Sequence, residues 1–347
     1  MSTHNNIAVN SRDNAFDLLK LLGAYIVLLS HSFRHFSVNN PTWSLFFTDG
    51  ATGVMIFFAI TGFVIMPAYE RSLNSNHSLK YFYWNRIIRI FPPIIFSFIV
   101  ITIIDALIIH ENIFSISYLI YGIKYCVFAS GGGYGSKGIS NGVLWTIIPD
   151  IVYYIFTPLI YKVMKNQKTG VWLVVIAFFW QFNVWDKQLI QLLNHIPVIG
   201  ARFGSTFSLC FMYEFLIGSF LYFKRESIMK SIKNHPVILY AIFIFFCLFF
   251  EVYRYTDLIP KTGEMHTPWF GILVCPLTIL FGLYIRPIHL KLDLSFGIFL
   301  FHMIVVGTLL FYSIDGVVGI IITALITPCL AFISRTVIEK PILNFKK

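Results

Sequence analysis

The chain has 347 residues, of which 57% are hydrophobic and only 12% are charged, and its mean hydropathy is +0.75. A soluble domain carries about 25% charged residues, so a water-soluble fold is excluded. The net charge of +10 does not indicate nucleic-acid binding, because the cations follow the pattern of a membrane topology, as shown below. The composition predicts an all-α, polytopic membrane helix bundle.

Apolar runs long enough to cross a bilayer, which takes about 20 residues, recur along the whole chain. Ten spans are predicted, over 15–33, 51–69, 88–109, 143–163, 170–190, 204–223, 236–253, 268–285, 294–312 and 316–336. The run 113–129 is broken by polar residues and is interpreted as an interfacial or re-entrant segment, so nine to eleven spans fit the sequence. Residues 1–14 are expected to form a cytoplasmic tail, and 15–347 a single transmembrane domain with no fused soluble domain.

The distribution of cations predicts an orientation. With ten spans both termini lie on one side, and that side receives 18 of the 26 Lys and Arg residues, against 7 on the other side. The positive-inside rule then places both termini in the cytoplasm. The first apolar run contains Asp17 and Lys20 and so does not resemble a cleavable signal peptide. The expected location is the bacterial cytoplasmic (inner) membrane.

The first span carries ionisable side chains, which are costly at membrane depth, by about 2.5–3.5 kcal/mol at a helix centre, and are therefore functional candidates. Lys20 and His31 are eleven residues apart, which places them on one helix face about 16 Å apart along the axis. Asp17 can pair with Lys20. A cation and an imidazole base facing one cavity fit this spacing. The same spacing fits equally well a lysine whose ammonium group extends to the membrane interface and a histidine that only forms a hydrogen bond to another helix.

Arg86 and Arg89 are predicted to open the third helix on the cytoplasmic side and to share one of its faces. Two guanidinium groups in this arrangement can hold phosphate, although the pattern also fits ordinary interfacial anchors. Asp150, His302 and Glu339 lie within or at the end of the fourth, ninth and tenth spans and are further candidates.

Two other patterns in the sequence are not interpreted as ligand-binding sites. Gly133 to Gly138 matches G-x-G-x-x-G, but that pattern indicates a dinucleotide site only between a strand and a helix, and here a flexible external loop of a helical protein is expected. The five cysteines form neither a CxxC pair nor a metal-ligand spacing and are interpreted as packing residues. No metal site is predicted.

Six short motifs follow one another along the chain. They are Lys20 with His31, the segment 53–63 (GVMIFFAITGF), Arg86 and Arg89 with Pro92, the segment 144–158 (LWTIIPDIVYYIFTP), the segment 295–302 (SFGIFLFH), and Glu339 with Pro341. In residue type and spacing they resemble the motifs of the membrane-bound acyltransferase-3 family, and the resemblance covers nearly the whole chain. Three positions depart from that family: Lys20 replaces an arginine and lacks its planar fork, Thr61 replaces a serine, and Asp150 replaces a glutamate one methylene longer.

The resemblance implies an integral membrane O-acyltransferase that takes an acyl group, expected to be acetyl, from cytoplasmic acyl-CoA. The acceptor is then a hydroxyl of an extracytoplasmic surface glycan or of its lipid-linked precursor. The O-antigen of lipopolysaccharide and an exopolysaccharide are examples of such glycans. Acetyl-CoA is then a donor substrate, and no permanently bound cofactor is expected. We expect membrane lipid and the glycan as partners and no nucleic acid, and the sequence does not determine the oligomeric state. The hypothesis assigns catalysis to His31 and Asp150, with Asp150 orienting or charge-tuning the histidine. Donor binding is assigned to Lys20, Arg86 and Arg89, and supporting roles to Asp17, Trp145, Tyr154, His302 and Glu339.

Two other classes of function fit a helical bundle with buried charges. One is a transporter or flippase of lipid-linked sugars or acyl groups without transfer chemistry of its own. The other is a non-catalytic membrane partner or sensor, for which Lys20 and His31 would tolerate apolar replacement.

Overall fold

The computed structural model describes residues 14–37, 50–74, 79–135, 138–185, 211–234, 268–285 and 290–344, with the single residues 237, 241 and 244. Every regular element in these ranges is helical. The elements are α1 (Phe16–His35), α2 (Gly50–Asn74), α3 (Leu79–Leu107), α4 (Ile116–Phe128), a 3-10 turn (Gly142–Thr146), α5 (Ile147–Lys165), α6 (Gln167–Trp185), α7 (Met212–Asn234), α8 (Pro268–Tyr284), α9 (Ser295–Phe311), α10 (Gly316–Ile333), a π-helical turn (Ser334–Glu339) and α11 (Lys340–Asn344).

Five helical stretches of the described chain are long and apolar enough to cross a membrane: α1, α2, α3, the 3-10 turn with α5, and the continuous run from α10 to α11. Helices α8 and α9 have 17 residues each, or about 26 Å, close to the bilayer core of about 30 Å. The all-α polytopic bundle is thus confirmed, while the number of spans stays a prediction. Nearly all of the span expected over 236–253 and of the tail 1–14 lies outside the described residues.

Helix α3 begins at Leu79, before the membrane span predicted over 88–109. Residues 79–87 include Lys80, Asn85 and Arg86, so a hydropathy window excludes them although nothing in them breaks a helix. Arg86 and Arg89 therefore lie about two and three turns into α3 rather than at its first residues. The prediction that they open the helix is wrong.

Helix α4 is the segment interpreted as interfacial or re-entrant. The Ser115 side chain begins it by accepting a hydrogen bond from the Tyr118 amide at 3.2 Å, and Ala129, with φ of 48°, ends it in the left-handed region. Its 13 residues span about 20 Å, which is too short to cross the bilayer core.

The glycine-rich segment after α4 is a loop, as predicted, and backbone hydrogen bonds close it. The Asn141 amide donates to the Gly131 carbonyl at 2.7 Å, so close that a Cβ at Gly131 would overlap the Asn141 carbonyl. The Asn141 side chain donates to Tyr125 Oη at 2.8 Å and to the Leu300 carbonyl of α9 at 3.1 Å. These bonds fix the chain just before the 3-10 turn.

Helix α2 is the most enclosed of the long helices: 72% of its apolar stretch is buried, against 28% for α3. It packs against α1, α7 and α8. The close approach depends on glycine, because a Cβ at Gly53 would overlap the Gly23 carbonyl of α1, and a Cβ at Gly62 would overlap the Phe215 carbonyl of α7. Small residues at helix crossings let the backbones of membrane helices approach closely, which increases their packing contacts.

Replacing Gly62 with alanine should therefore destabilise the bundle by about 1–3 kcal/mol, since the new methyl must push α7 away. We expect a lower midpoint of thermal unfolding for the purified protein in detergent, followed by tryptophan fluorescence. Gly132→Ala is the matched control, because a Cβ there meets no atom within 4 Å. Equal midpoints for the two variants would contradict this account of α2.

Candidate active site

Two cavities lie end to end inside the bundle. The larger has a volume of about 880 Å³ and lies among α1, α2, α3, α5 and the segment entering α9. The smaller, of about 190 Å³, lies among α1, α2, the 3-10 turn, α7 and α9. Val54, Thr146 and Phe299 line both cavities. We call these three residues the throat.

The large cavity is rich in charge. Among the described residues, its cations are Lys20, Arg86, Arg89, Lys291 and Arg335, and its carboxylates are Asp17, Asp150 and Asp293. The excess of cations favours an anionic ligand, and walls of low dielectric strengthen that preference.

Lys20 lies between two carboxylates. Its Nζ is 2.7 Å from Asp17 Oδ1 and 2.7 Å from Asp293 Oδ2. The pairing with Asp17 confirms the sequence prediction, whereas Asp293 was missed. Asp293 Oδ1 also accepts from the amide and hydroxyl of Ser295, at 3.1 and 2.5 Å. Burial alone would raise the pKa of Asp293, but Lys20, Arg89 and these hydrogen bonds hold it well below its usual range, so Asp293 is ionised at neutral pH.

Aromatic rings fix the guanidinium group of Arg86. Its Cζ lies 5.7 Å from the centre of the Tyr154 ring and 5.5 Å from that of Phe82, within range of a cation–π interaction. The Arg86 Nε is buried and has no hydrogen-bond partner among the described residues. Arg89 interacts electrostatically with Asp150 and Asp293. The two arginines thus present preorganised positive charge to the cavity.

The small cavity contains a histidine pair. His31 Nδ1 lies 2.8 Å from His302 Nε2, and the rings are stacked with their centroids 5.1 Å apart. His302 Nδ1 lies 3.3 Å from the Ile298 carbonyl, which only accepts, so this nitrogen carries the proton. His302 Nε2 then accepts from His31 Nδ1–H. This assignment leaves the lone pair of His31 Nε2 available as a base.

The free nitrogen of His31 has room beside it. Gly50 lines the same cavity, and a Cβ there would lie 3.9 Å from His31 Nε2 and 3.2 Å from Ser30 Oγ. The absence of a side chain at Gly50 therefore keeps space next to the base.

The structure does not bring Asp150 to His31 as the sequence hypothesis proposed. Asp150 lines the large cavity, whereas His31 lines the small one and has His302 as its partner. The sequence could not reveal this pairing, because 271 positions separate the two histidines. The sequence named His302 only as a supporting residue.

The other predicted residues fall around the two cavities. Trp145 lines the small cavity, with its ring 6.1 Å from that of Phe211. Glu339 lines neither cavity but accepts from Arg335 Nη1 at 2.8 Å and from Ser334 Oγ at 3.1 Å. Glu339 therefore acts by holding Arg335 at the wall of the large cavity.

Three charged residues of the large cavity were missed from the sequence: Lys291, Asp293 and Arg335. A signal for Asp293 was present, since it is an acid two residues before an apolar helix. An acid at a helix end on the predicted cation-rich side is a natural partner for a lysine buried near that side.

A buried histidine pair and a cation-rich cavity inside a bundle of apolar helices define a polytopic membrane protein with a buried polar site. A family model described as "Acyltransferase domain" matches residues 13–336. The chain therefore belongs to the acyltransferase-3 family, and it is a membrane O-acyltransferase.

Two relatives agree with this assignment. The chain is 26% identical to "Nodulation protein 10" of Rhizobium leguminosarum bv. viciae, over 96% of this chain and 94% of the relative. It is 28% identical to the "O-acetyl transferase" of Shigella phage Sf6, over 48% of this chain and 51% of the relative. No solved structure matches the chain.

Removing Asp293 should destabilise the protein, because Lys20 then keeps only one of its two carboxylate partners. We expect Asp293→Ala to cost about 1.5–3 kcal/mol, the range for a hydrogen bond to a charged group, seen as a lower unfolding midpoint in detergent. Glu226→Ala is the control: it breaks an ion pair with Arg225 at 3.6 Å in which Glu226 is 81% exposed, worth about 0–1 kcal/mol. If Asp293→Ala were as stable as that control, the ion pair would not matter to the fold.

Proposed function

We propose that the protein transfers an acetyl group from acyl-CoA, bound in the large cavity, to a hydroxyl of a surface glycan or its lipid-linked precursor, of the O-antigen or exopolysaccharide type. One observation carries the proposal: a cation-rich cavity meets, at a shared throat, a smaller cavity that contains a histidine with a free ring nitrogen.

The large cavity suits the donor in size and charge. Its volume of about 880 Å³ lies in the range of about 300–1,000 Å³ typical of small-molecule sites. Coenzyme A is a polyanion, and Lys20 already has two carboxylate partners. Arg86 and Arg89 therefore take the larger share of the phosphate charge, and Lys20 completes the wall. The positive-inside pattern assigns this end of the bundle to the cytoplasm, where acyl-CoA is made.

Transfer takes place at the throat. The acceptor hydroxyl attacks the thioester carbonyl carbon while its proton passes to His31 Nε2, and a C–O bond forms. The C–S bond then breaks, and the proton moves from His31 to the departing sulfur, which leaves as the coenzyme A thiol. His302 is a positioning residue in this scheme, since it holds the His31 tautomer and accepts a hydrogen bond from the imidazolium.

The small cavity suits the acceptor, because about 190 Å³ admits a hydroxyl and part of one sugar rather than an oligosaccharide. The relative from Shigella phage Sf6 is named an O-acetyl transferase, which supports acetyl as the group transferred. A transporter or flippase without transfer chemistry of its own would leave no acetyl label on the glycan in the assay described next.

Replacing His31 with alanine should lower acetyl transfer by about 10²–10⁴-fold, the usual contribution of a general base, while acetyl-CoA still binds. His302→Ala should give a smaller loss in turnover with an unchanged KM for the donor. His302→Gln should recover part of the rate, because its amide oxygen can accept from His31 Nδ1. The measurement is transfer of radiolabelled acetyl to the glycan fraction of membranes from a deletion strain that carries each variant.

His110→Asn is the control for these variants, since His110 is an exposed imidazole that lines neither cavity, and asparagine tolerates its φ of 61°. Acetyl transfer at the wild-type rate by a folded His31→Ala protein would exclude His31 as the base. Equal losses for His302→Ala and His302→Gln would exclude the positioning role of His302.

Donor binding is tested separately with the arginines. The double variant Arg86→Ala, Arg89→Ala should weaken acetyl-CoA binding to the purified protein by at least about 10-fold, because two charge-assisted contacts to phosphate are lost. Lys162→Ala with Lys165→Ala removes the same charge from two exposed cations at the end of α5 and should leave the affinity within about twofold. Equal affinities for the two double variants would place the donor elsewhere.

A further inference from the structure

The throat lies at the point where an acyl group must pass from the donor to the acceptor. Val54 of α2, Thr146 of the 3-10 turn and Phe299 of α9 come from three separate elements and line both cavities. For His31 in the small cavity to activate a hydroxyl against a thioester held in the large cavity, the carbonyl carbon must lie at these residues. The space here is therefore shared by the acyl chain and the attacking hydroxyl.

The throat presents an apolar surface. Thr146 Oγ1 donates to the Val143 carbonyl at 2.9 Å, so the hydroxyl is satisfied within its own turn. Val54 and Phe299 contribute only hydrocarbon. Such a surface favours an alkyl group and offers no polar contact that would hold one acyl group rather than another. Selection at this point can therefore come only from size.

The throat is also held rigidly on at least two sides. Val54 follows Gly53, which lies against the Gly23 carbonyl of α1 so closely that a Cβ would overlap it. The Phe299 ring packs edge-on against Phe57 at 5.4 Å between centroids, and its centroid is 6.1 Å from that of His302. Packed interiors of this kind accommodate an extra methylene poorly.

We infer that Val54, Thr146 and Phe299 form an acyl-length filter that restricts the transferred group to acetyl. This inference rests on the proposed function and adds the residues that determine donor specificity. A longer acyl-CoA still binds through its phosphates in the large cavity. Its extra methylenes meet the throat, so its carbonyl carbon does not reach the hydroxyl beside His31.

The test compares acetyl-CoA with butyryl-CoA as radiolabelled donors. Membranes of a deletion strain that carries each variant supply the natural acceptors, and ester-linked label released by mild alkali is counted in the glycan fraction. A methylene in an apolar pocket changes discrimination by about 10-fold or more. We expect wild-type protein to transfer butyryl at least about 10-fold more slowly than acetyl, and Val54→Ala and Phe299→Leu each to raise the butyryl-to-acetyl ratio by about 10-fold.

Val64→Ala is the matched control for the ratio. It is the same substitution on the same helix and lines the large cavity but not the throat, so the ratio should stay at the wild-type value. The affinity of purified variants for coenzyme A should not change, and their elution profile in detergent reports folding. Two different throat variants are used so that one misfolded protein does not decide the outcome.

The outcomes separate the two proposals. If wild-type protein neither binds acetyl-CoA nor transfers acetyl, the proposed function fails. If it transfers acetyl but also transfers butyryl at a similar rate, the filter is excluded. The filter is equally excluded if folded Val54→Ala and Phe299→Leu proteins keep the wild-type ratio, or if Val64→Ala raises the ratio as much as they do.

Discussion

The site depends on how closely α2 can approach its neighbours. Without a hydrophobic driving force between helices in lipid, association relies on van der Waals contact and on hydrogen bonds. Gly53 and Gly62 let the backbone of α2 touch that of α1 and α7, which places α2 at the centre of the bundle. Val54 and Thr61 then face the cavities from a helix that cannot shift easily. Catalytic geometry needs such rigid support, because small displacements of reacting groups are costly.

A charged cavity inside a membrane protein requires that its charges be offset. Lys20 meets this requirement with two carboxylates at 2.7 Å, so this lysine is largely neutralised before any ligand arrives. Among the described residues the cavity is not neutralised, since five cations line it against three carboxylates. The remaining positive charge is centred on arginines, which stay ionised and bind phosphate in a planar, bidentate geometry. An anionic ligand in the large cavity would complete the charge balance.

Local features were predictable from the sequence, and distant contacts were not. Periodicity placed Lys20, His31 and Asp17 on one face of α1, and the structure confirms the pairing of Asp17 with Lys20. The expectation that Lys20 and His31 face one cavity was wrong, since Lys20 lines the large cavity and His31 the small one. The apolar runs gave the helices, although α3 begins at Leu79, before the span predicted from residue 88, because Lys80, Asn85 and Arg86 lower the hydropathy of its first turns. The hypothesis that Asp150 orients His31 was wrong, since it relied on chemistry alone. The true partner, His302, is related to His31 only through the packing of α9 against α1.

The two contacts between α1 and α9 also define the directions of the helices. Lys20 meets Asp293, just before α9, and His31 meets His302, in the middle of α9, so the two helices run parallel. An odd number of crossings must therefore separate them, as the ten-span prediction requires of its first and ninth spans. The Gly316 amide at the start of α10 donates to the carbonyl of Phe36, just after α1, and α10 then leads back to Arg335 at the large cavity. Both ends of the described chain thus lie at the Lys20 end of the bundle, and α1 and the turn after α10 both line the large cavity.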